Sequence, residues 1–472
     1  VSARFAAGVL LGVAAGLSML AEVSWLAPVL GVWHLAVSVW LARRPAPAAA
    51  SWAVVGGALA LLLGLGLAVA GAVGSGFVAG ALGAVAAFVG AQLSLAAHPS
   101  VRPLAAPHSL RTSLAVATDE SMKWLWHATS LVSRPPAPGA WLEAVRAAAE
   151  RNRRAGVLED PARAHPAPPA LDKYELVRCE LAGLPAADQL RFESGFVPRD
   201  PEVREAYLAL EANRTARALV WRHRGERRPA LLVIHGYGMG RAPLDARAFE
   251  VPWLFRTLGL DVVLVTLPLH GARAAGRRSG AGFLDGHPLV TNAAFEQAIW
   301  DLRRIAAWLR SEGAPAVGVY GMSLGGYTAA LFASLERGLA CAVPYVPAVS
   351  LPGVLGASRS PAQRQAREAL GLDDALLSEV WASHEPLRHR PLVAPEGRLI
   401  LAGASDRICA PDQAQALWEH WERPSIHWFE GSHLAHFGRG KLRERLAVHL
   451  RETLFAAGQP TLSRFRALSA RG

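Results

Sequence analysis

The stretch Val317-Gly318-Val319-Tyr320-Gly321-Met322-Ser323-Leu324-Gly325-Gly326-Tyr327 constrains this chain more than any other. An apolar run delivers a serine into a Gly-x-Ser-x-Gly turn, and small residues then open a helix at Thr328, Ala329 and Ala330. That order suits a strand, a strained turn and a helix, which together lift a serine hydroxyl above a sheet edge. With 44 glycines in the chain so short a motif can arise by chance, so its surroundings carry the argument.

Those surroundings repeat the alternation of strand and helix. Ala230 to Ile234 is a continuous apolar run that enters His235-Gly236-Tyr237-Gly238-Met239-Gly240, a glycine-rich turn whose amides can face a developing oxyanion. Residues 260–267 predict a second strand, which ends at Pro268-Leu269-His270-Gly271. Residues 398–403 predict a third, ending at Ala404-Ser405-Asp406, and 425–429 a fourth, ending at Glu430-Gly431-Ser432-His433. Helical patterns fill 293–310 and 411–421. Strands alternating with helices predict an α/β fold with a mostly parallel sheet covered on both faces.

On these motifs the chain resembles the α/β-hydrolase superfamily, in its serine-hydrolase branch of esterases, lipases and related acyl hydrolases. The resemblance covers roughly residues 190–455. It implies a nucleophile, an acid and a histidine in the chain order Ser323, Asp406, His433. A serine hydroxyl is a poor nucleophile until a histidine takes its proton, and a carboxylate must hold that histidine in one tautomer. Ser323 would attack an acyl carbonyl, His433 would act as base and then acid, and Asp406 would orient His433. The backbone amides of Leu324 and Tyr237 are the expected oxyanion donors.

Each assignment has a rival. His436 lies three residues beyond His433, but the family pattern favours the histidine directly after the small-residue turn. Asp412 competes with Asp406, yet it falls where a helix begins and suits an N-terminal helix carboxylate. Asp373 and Asp374 lie in a segment, 349–396, that is expected to form a lid. His270 either lines the pocket or is a hydrogen-bonded loop histidine. No His-Glu-x-x-His or clustered Cys/His spacing occurs, so neither metal nor cofactor is implied. Cys179, Cys341 and Cys409 are scattered without a Cys-x-x-Cys, which argues against a disulfide scaffold; Cys341 and Cys409 are expected to be packing residues.

The first hundred residues belong to another physical class. Runs at 5–20, 23–42, 52–73 and 77–97 are nearly continuously apolar, and a bilayer core takes about 20 helical residues to cross. Four spans in two hairpins are expected over 1–98; the short first run, with Arg4 before it, also has a signal-peptide reading, or the first two runs form one re-entrant unit. Gly8, Gly12 and Gly16, and again Gly76 and Gly80, recur at the spacing that lets helices approach closely in lipid. Arg4, Arg43, Arg44, Arg102 and Arg111 fall on one side of a four-span arrangement, and the turns near Glu22 and Ser75 carry no Lys or Arg. The positive-inside rule then places the catalytic domain in the cytoplasm, against what is expected to be a bacterial inner membrane.

Residues 99–170 read as a Pro/Arg-rich connector with one helix at 141–154, whose Trp124, Trp126 and Trp141 suit either a membrane interface or ordinary packing. The catalytic domain is expected over 171–457, with a tail at 458–472. The net charge of +11 is almost all arginine, since only Lys123, Lys173 and Lys441 are present, and it suits anionic lipid better than nucleic acid, for which no reader motif appears. The reading that follows is a membrane-anchored serine hydrolase acting on a carboxylic ester or related acyl bond of a small or lipid-like substrate. Thioesterase, amidase or peptidase chemistry, or an inactive membrane binding module, stands as the alternative. A fragment begun near Leu171 contains all three catalytic candidates, so it is expected to act on a water-soluble ester.

Overall fold

Residues 2–43, 47–97, 109–130, 138–284, 286–357, 369, 371 and 373–455 are described by a computed structural model. Arg44, Arg102 and the expected tail lie outside them. The chain divides into two units, one of residues 1–134, 403–412 and 428–439, the other of 135–402, 413–427 and 440–472.

The first unit is built on helices α1 (Ala3–Ser18), α2 (Leu26–Arg43), α3 (Pro47–Val69), α4 (Val73–Ala97) and α5 (Leu110–Ser130). The four apolar runs are thus four helices, of which α2, α3 and α4 are long and apolar enough to cross a membrane. With 16 residues, α1 is shorter than a span needs, but Ala6, Leu10, Val13 and Leu17 pack into the same core as Leu30, Ala53, Ala60 and Ala86. The four-residue spacing pointed to two of the close glycine contacts, Gly16, whose Cβ position lies 2.8 Å from the Leu82 side chain, and Gly76, and missed the rest. A Cβ at Gly8, Gly12 or Gly80 would meet nothing within 4 Å. On α3 and α4, by contrast, a Cβ on Gly57 would lie 2.5 Å from the Ala87 nitrogen, and one on Gly83 would lie 2.6 Å from the Gly57 oxygen. Gly64 and Gly76 meet in the same way, each Cβ position 2.6 Å from the other's carbonyl oxygen. The seam therefore brings backbone against backbone, which only the smallest residue permits.

The connector between the units' sequences holds more structure than expected. Besides α6 (Pro138–Arg154), it contains the 21-residue α5. No apolar run announces α5, because its inward residues are polar: Thr112, Ser113, Asp119 and Glu120 are buried along with Ala115 and Val116. Those positions recur with helical period, but in the residue class that ordinarily faces water.

The second unit carries nine described strands in the order β1-β2-β3-β5-β4-β6-β7-β8-β9. They are β1 (Glu175–Cys179), β2 (Ala187–Glu193), β3 (Thr215–Trp221), β4 (Ala230–Ile234), β5 (Asp261–Thr266), β6 (Val317–Met322), β7 (Leu339–Tyr345), β8 (Leu399–Gly403) and β9 (Ser425–Phe429). Pairings from β1 to β3 and on to β5 are antiparallel, whereas β5-β4-β6-β7-β8 run parallel. β4 is buried at all five residues, which is why it reads as an unbroken apolar run, while β1 is mostly exposed and carries charge. Helices at Pro288–Ser311 and Leu324–Leu335 cover the sheet with long buried faces. Cys341 lies in β7 and is fully buried, as expected of a packing residue.

Part of the expected lid segment is core. Asn152 of α6 donates to the Glu379 and Val380 carbonyls, and the Trp381 indole donates to the Pro288 carbonyl. Beyond these, the His165 and His389 imidazoles both donate from Nε2 to the Ser383 carbonyl, and His384 Nδ1 lies 2.8 Å from the Tyr327 hydroxyl. Trp141, the connector tryptophan, packs its ring 5.0 Å from His287, which favours ordinary packing over an interface role.

The glycine seam yields a contrast between two conservative substitutions. Gly83→Ala is expected to destabilise the full-length protein by about 1–3 kcal/mol, because the added methyl collides with backbone that cannot rotate away. Gly8→Ala is expected to leave stability within about 0.5 kcal/mol of the parent or to raise it slightly through helix propensity. Thermal unfolding of both in detergent checks the pair, and equal Tm values would contradict the packing argument.

Candidate active site

β6 ends at Met322, and Ser323 follows with φ 59° and ψ −117°, a left-handed backbone that a side-chain-bearing residue adopts at a cost of about 1–3 kcal/mol. Hydrogen bonds over-determine this strained turn. The Ser323 amide donates to the Tyr345 carbonyl of β7 at 2.9 Å, and the Ser323 carbonyl accepts from the Tyr327 amide at 2.9 Å. Both motif glycines are required by space. A Cβ on Gly321 would fall 2.0 Å from the Gly325 oxygen, and one on Gly325 would fall 2.0 Å from the Ile234 oxygen of β4. The Gly-x-Ser-x-Gly pattern is therefore the consequence of helix, elbow and two strands meeting at backbone distance. The fold is that of the α/β-hydrolases.

Leu324 is the first residue of the helix after the elbow, where backbone amides have no intrahelical acceptor. The turn after β4 lies alongside: a Cβ on Gly236 would sit 3.3 Å from the Ser323 Cβ. Tyr237 is the next residue in that turn. His235 is fully buried and braces the turn, its Nδ1 donating to the Gly236 carbonyl at 2.9 Å and its Nε2 accepting from the Leu267 amide at 3.1 Å. Burial pushes His235 down to about 4, so it is neutral, as this bonding pattern requires. His270 follows the bland reading. It is fully buried, its Nδ1 donates to the Pro268 carbonyl at 2.8 Å, and its ring packs against His235 and Phe283.

The other two catalytic candidates meet in the first unit. His433 Nδ1 lies 2.8 Å from Asp406 Oδ2, and both residues are buried. The second carboxylate oxygen, Oδ1, accepts from the Ile408 and Cys409 amides at 2.9 and 2.8 Å, so the loop after β8 wraps its own acid and fixes its direction. The strand-to-loop junctions are pinned by Ala404 donating to the Phe429 carbonyl and Ser405 donating to that of Gly431. Burial, the largest influence on His433, disfavours its imidazolium, but the Asp406 carboxylate and Cys409 outweigh it and hold the ring well above the ordinary histidine range. Burial pushes the Cys409 thiol up, so Cys409 is neutral at pH 7 and Asp406 supplies the charge.

The rivals fall elsewhere. His436 is turned to backbone: its Nε2 donates to the His433 carbonyl at 2.8 Å, and burial pushes it down to about 4. Asp412 stands in the first turn of the helix Pro411–His420, and Asp373 caps the helix Asp374–Val380 by accepting from the Leu376 amide at 2.7 Å. No group of three or more metal-ligating side chains occurs among the described residues.

Two neighbours of the dyad escape a motif-based reading. Cys409 shares a side-chain hydrogen bond with His433 where packing alone was expected. Asp119 of α5 accepts hydrogen bonds from the Arg407 and His433 amides, both at 2.9 Å. Asp119 lies almost 300 residues before the loops it binds, and only the helical recurrence of polar residues in α5 could have flagged it.

Comparison with known proteins places these observations beside others. No protein-family profile matches the chain. It is 39% identical over 265 residues to uncharacterized proteins from two strains of Mycobacterium tuberculosis, a match covering 56% of this chain and 63% of theirs. Among solved structures it is similar to acetyl xylan esterase 1 from Thermoanaerobacterium sp., at 18% identity and TM-score 0.44, over 67% of this chain and 95% of the other. A Mycobacterium tuberculosis puromycin-hydrolyzing peptidase shows 20% identity and TM-score 0.38, over 51% of this chain and 37% of that one.

The dyad's electrostatics set a pH dependence. Histidine must be neutral to accept a proton, and His433 is raised, so the acid limb of kcat/KM for a neutral ester is expected above pH 6.5. Asp406→Asn is expected to move that limb down while lowering kcat by about 10⁴-fold, since the orienting charge is lost. The same pair stabilises the fold fully below about pH 6.5, and the contribution is lost as pH rises through the raised folded value. A wild-type limb below pH 6 would contradict the assignment.

Proposed function

We propose that the chain is a membrane-anchored serine hydrolase that cleaves a carboxylic ester or related acyl bond through Ser323, His433 and Asp406. The observation that carries the reading is the Ser323 elbow, whose left-handed backbone is held by two hydrogen bonds and two glycines without space for a Cβ. Strain of this kind persists where a function uses it. The buried Asp406–His433 pair supplies the other half of the chemistry, a base oriented through Nδ1. In this mechanism His433 takes the Ser323 proton as Oγ attacks the acyl carbonyl, and an acyl-enzyme forms as the leaving group departs with that proton. Water, deprotonated by His433, then releases the acid. The amides of Leu324 and Tyr237 hold the oxyanion in both halves.

Anchoring rests on α2, α3 and α4, and sidedness on charge. Arg43 ends α2, whereas residues 70–72 between α3 and α4 carry no charge. α5 joins the bundle at the arginine end: the Ser51 hydroxyl in the first turns of α3 and that of Ser94 near the end of α4 both donate to Glu120 at 2.7 Å. The proposed orientation puts this end, with the acid and histidine loops, in the cytoplasm.

Fluorophosphonate labelling tests the chemistry. Wild-type protein is expected to label, Ser323→Ala to lose all labelling while keeping its Tm, and kcat to fall on the order of a million-fold in Ser323→Ala and His433→Ala alike. Undiminished labelling of Ser323→Ala would sink the nucleophile assignment, and a panel of short esters, lipid esters, thioesters and amides then ranks the bond cleaved. Topology is checked separately by cysteine accessibility in intact cells. A probe at Ser75 is expected to react from outside and one at Arg111 to be protected; the reverse pattern means an exported catalytic domain.

A further inference from the structure

Resting on the triad reading above, we infer that Asp119 is the positioning residue for both His433 and Asp406, which makes the apolar helical unit part of the catalytic framework. The carboxylate is fully buried and all of its acceptor capacity faces the two loops. Oδ2 accepts from the Arg407 amide, next in sequence to the acid, and from the amide of His433 itself, each at 2.9 Å. Oδ1 accepts from the Leu434 amide at 3.1 Å and lies 2.8 Å from the Ser432 hydroxyl, which also has the Ala115 carbonyl within reach at 3.0 Å. A single oxygen thus spans the two loops and sets the separation at which Asp406 and His433 meet.

Asp119 is itself held. The next residue, Glu120, is 1% exposed and accepts from the Ser51 and Ser94 hydroxyls of α3 and α4, with Lys123 3.3 Å away. Gln92 of α4 donates to the Ser113 hydroxyl at 2.7 Å, and the Ser109 hydroxyl at the head of α5 donates to Glu430 at 3.1 Å. α5 is therefore tied to the bundle on one side and to the catalytic loops on the other. Burial, and then the charge of Asp406, raise Asp119 to about 6, so at pH 7 it is the ionised acceptor that its donors require. Without it, two buried amides and a part-buried one lose their acceptor, and a displacement of about 1 Å at a reacting group is enough to cost about 10²-fold in rate. A fragment begun near Leu171 keeps Ser323, Asp406 and His433 but lacks the group that positions two of them, so the expectation from sequence is reversed: such a fragment is expected to be inactive.

Full-length protein in detergent micelles tests this with Asp119→Asn, Ser432→Ala and Ser323→Ala. Asp119→Asn is expected to lower kcat about 10²-fold with KM changed less than about threefold, and to shift the acid limb to lower pH because a negative charge near His433 is lost. Its amides at 407, 433 and 434 are expected to exchange hydrogen faster than in wild type. Should Asp119→Asn fail to fold, Ser432→Ala removes one donor and leaves the carboxylate; its kcat is expected to fall about tenfold at unchanged KM. Wild-type kcat and pH profile in the folded variants, with Ser323→Ala inactive, overturn the positioning role while leaving the triad standing. Continued labelling of Ser323→Ala overturns the triad instead, and unaltered exchange at the three amides overturns the clamp whatever the catalysis.

Discussion

Two adjacent buried carboxylates on α5 set the terms for the first unit. Successive residues of a helix point about 100° apart, so Asp119 and Glu120 face different neighbours from one backbone position. A carboxylate without water must be paired, and each is: Asp119 by loop amides and a hydroxyl, Glu120 by two serines and Lys123. Burial alone would raise Glu120, but Lys123 and the serine hydroxyls outweigh it and hold it below its ordinary range. Removing a partner from either group would leave a buried charge short of a hydrogen bond, at a cost of about 1–3 kcal/mol. The arrangement is thus all-or-none: helix, bundle and loops must be in register together for both acids to be satisfied.

The proposed nucleophile and its proposed base are placed by different physical means. Ser323 is placed by steric exclusion and backbone strain, which leave a side chain of one attachment point no freedom in where it emerges. Asp406 and His433 sit on loops, where no close-packed sheet dictates position, and hydrogen bonds do the work instead. A loop has many backbone conformations to lose, so several bonds must converge to hold it in one. That is the physical reason for a supporting carboxylate beside the acid–histidine pair.

What was readable from sequence follows the same division. β4, β6 and β8 are buried throughout or nearly so, and continuous apolar runs announced them along with the loops that carry Tyr237, Ser323 and Asp406. β1 and β2 were silent because charged residues interrupt them, Glu175 and Arg178 on the exposed edge strand and the half-buried Asp188 and Arg191 on its neighbour. α5 was silent for the opposite reason, since it buries polar groups whose partners are far away in the chain. The glycine seam shows a third limit. Spacing picked out Gly8, Gly12, Gly16, Gly76 and Gly80, whereas close approach depends on which residue faces the neighbouring helix, and that keeps Gly16 and Gly76, drops the other three and adds Gly57, Gly64 and Gly83. The lid was delimited too generously, because the histidines and tryptophan from Trp381 onward look like surface residues until their carbonyl partners are known.

The backbone seam between α3 and α4 gives the clamp its meaning. Helices held only by long side chains can slide by rotamer changes, but where Gly57 meets Gly83 and Gly64 meets Gly76 the contact is between peptide groups, which have no such freedom. Ser51 and Ser94 project from those same two helices to Glu120, so α5 takes its reference point from this close-packed pair. A tether that merely retained an enzyme at a membrane would need none of this: any flexible connector would serve, and no amide of the histidine loop would depend on it. A rigid pair of helices, a helix bolted across their end, and a carboxylate reaching from that helix to the acid and histidine loops form one continuous chain of constraint. On the proposed reading, that stiffness holds His433 within the roughly 1 Å tolerance that a reacting group demands.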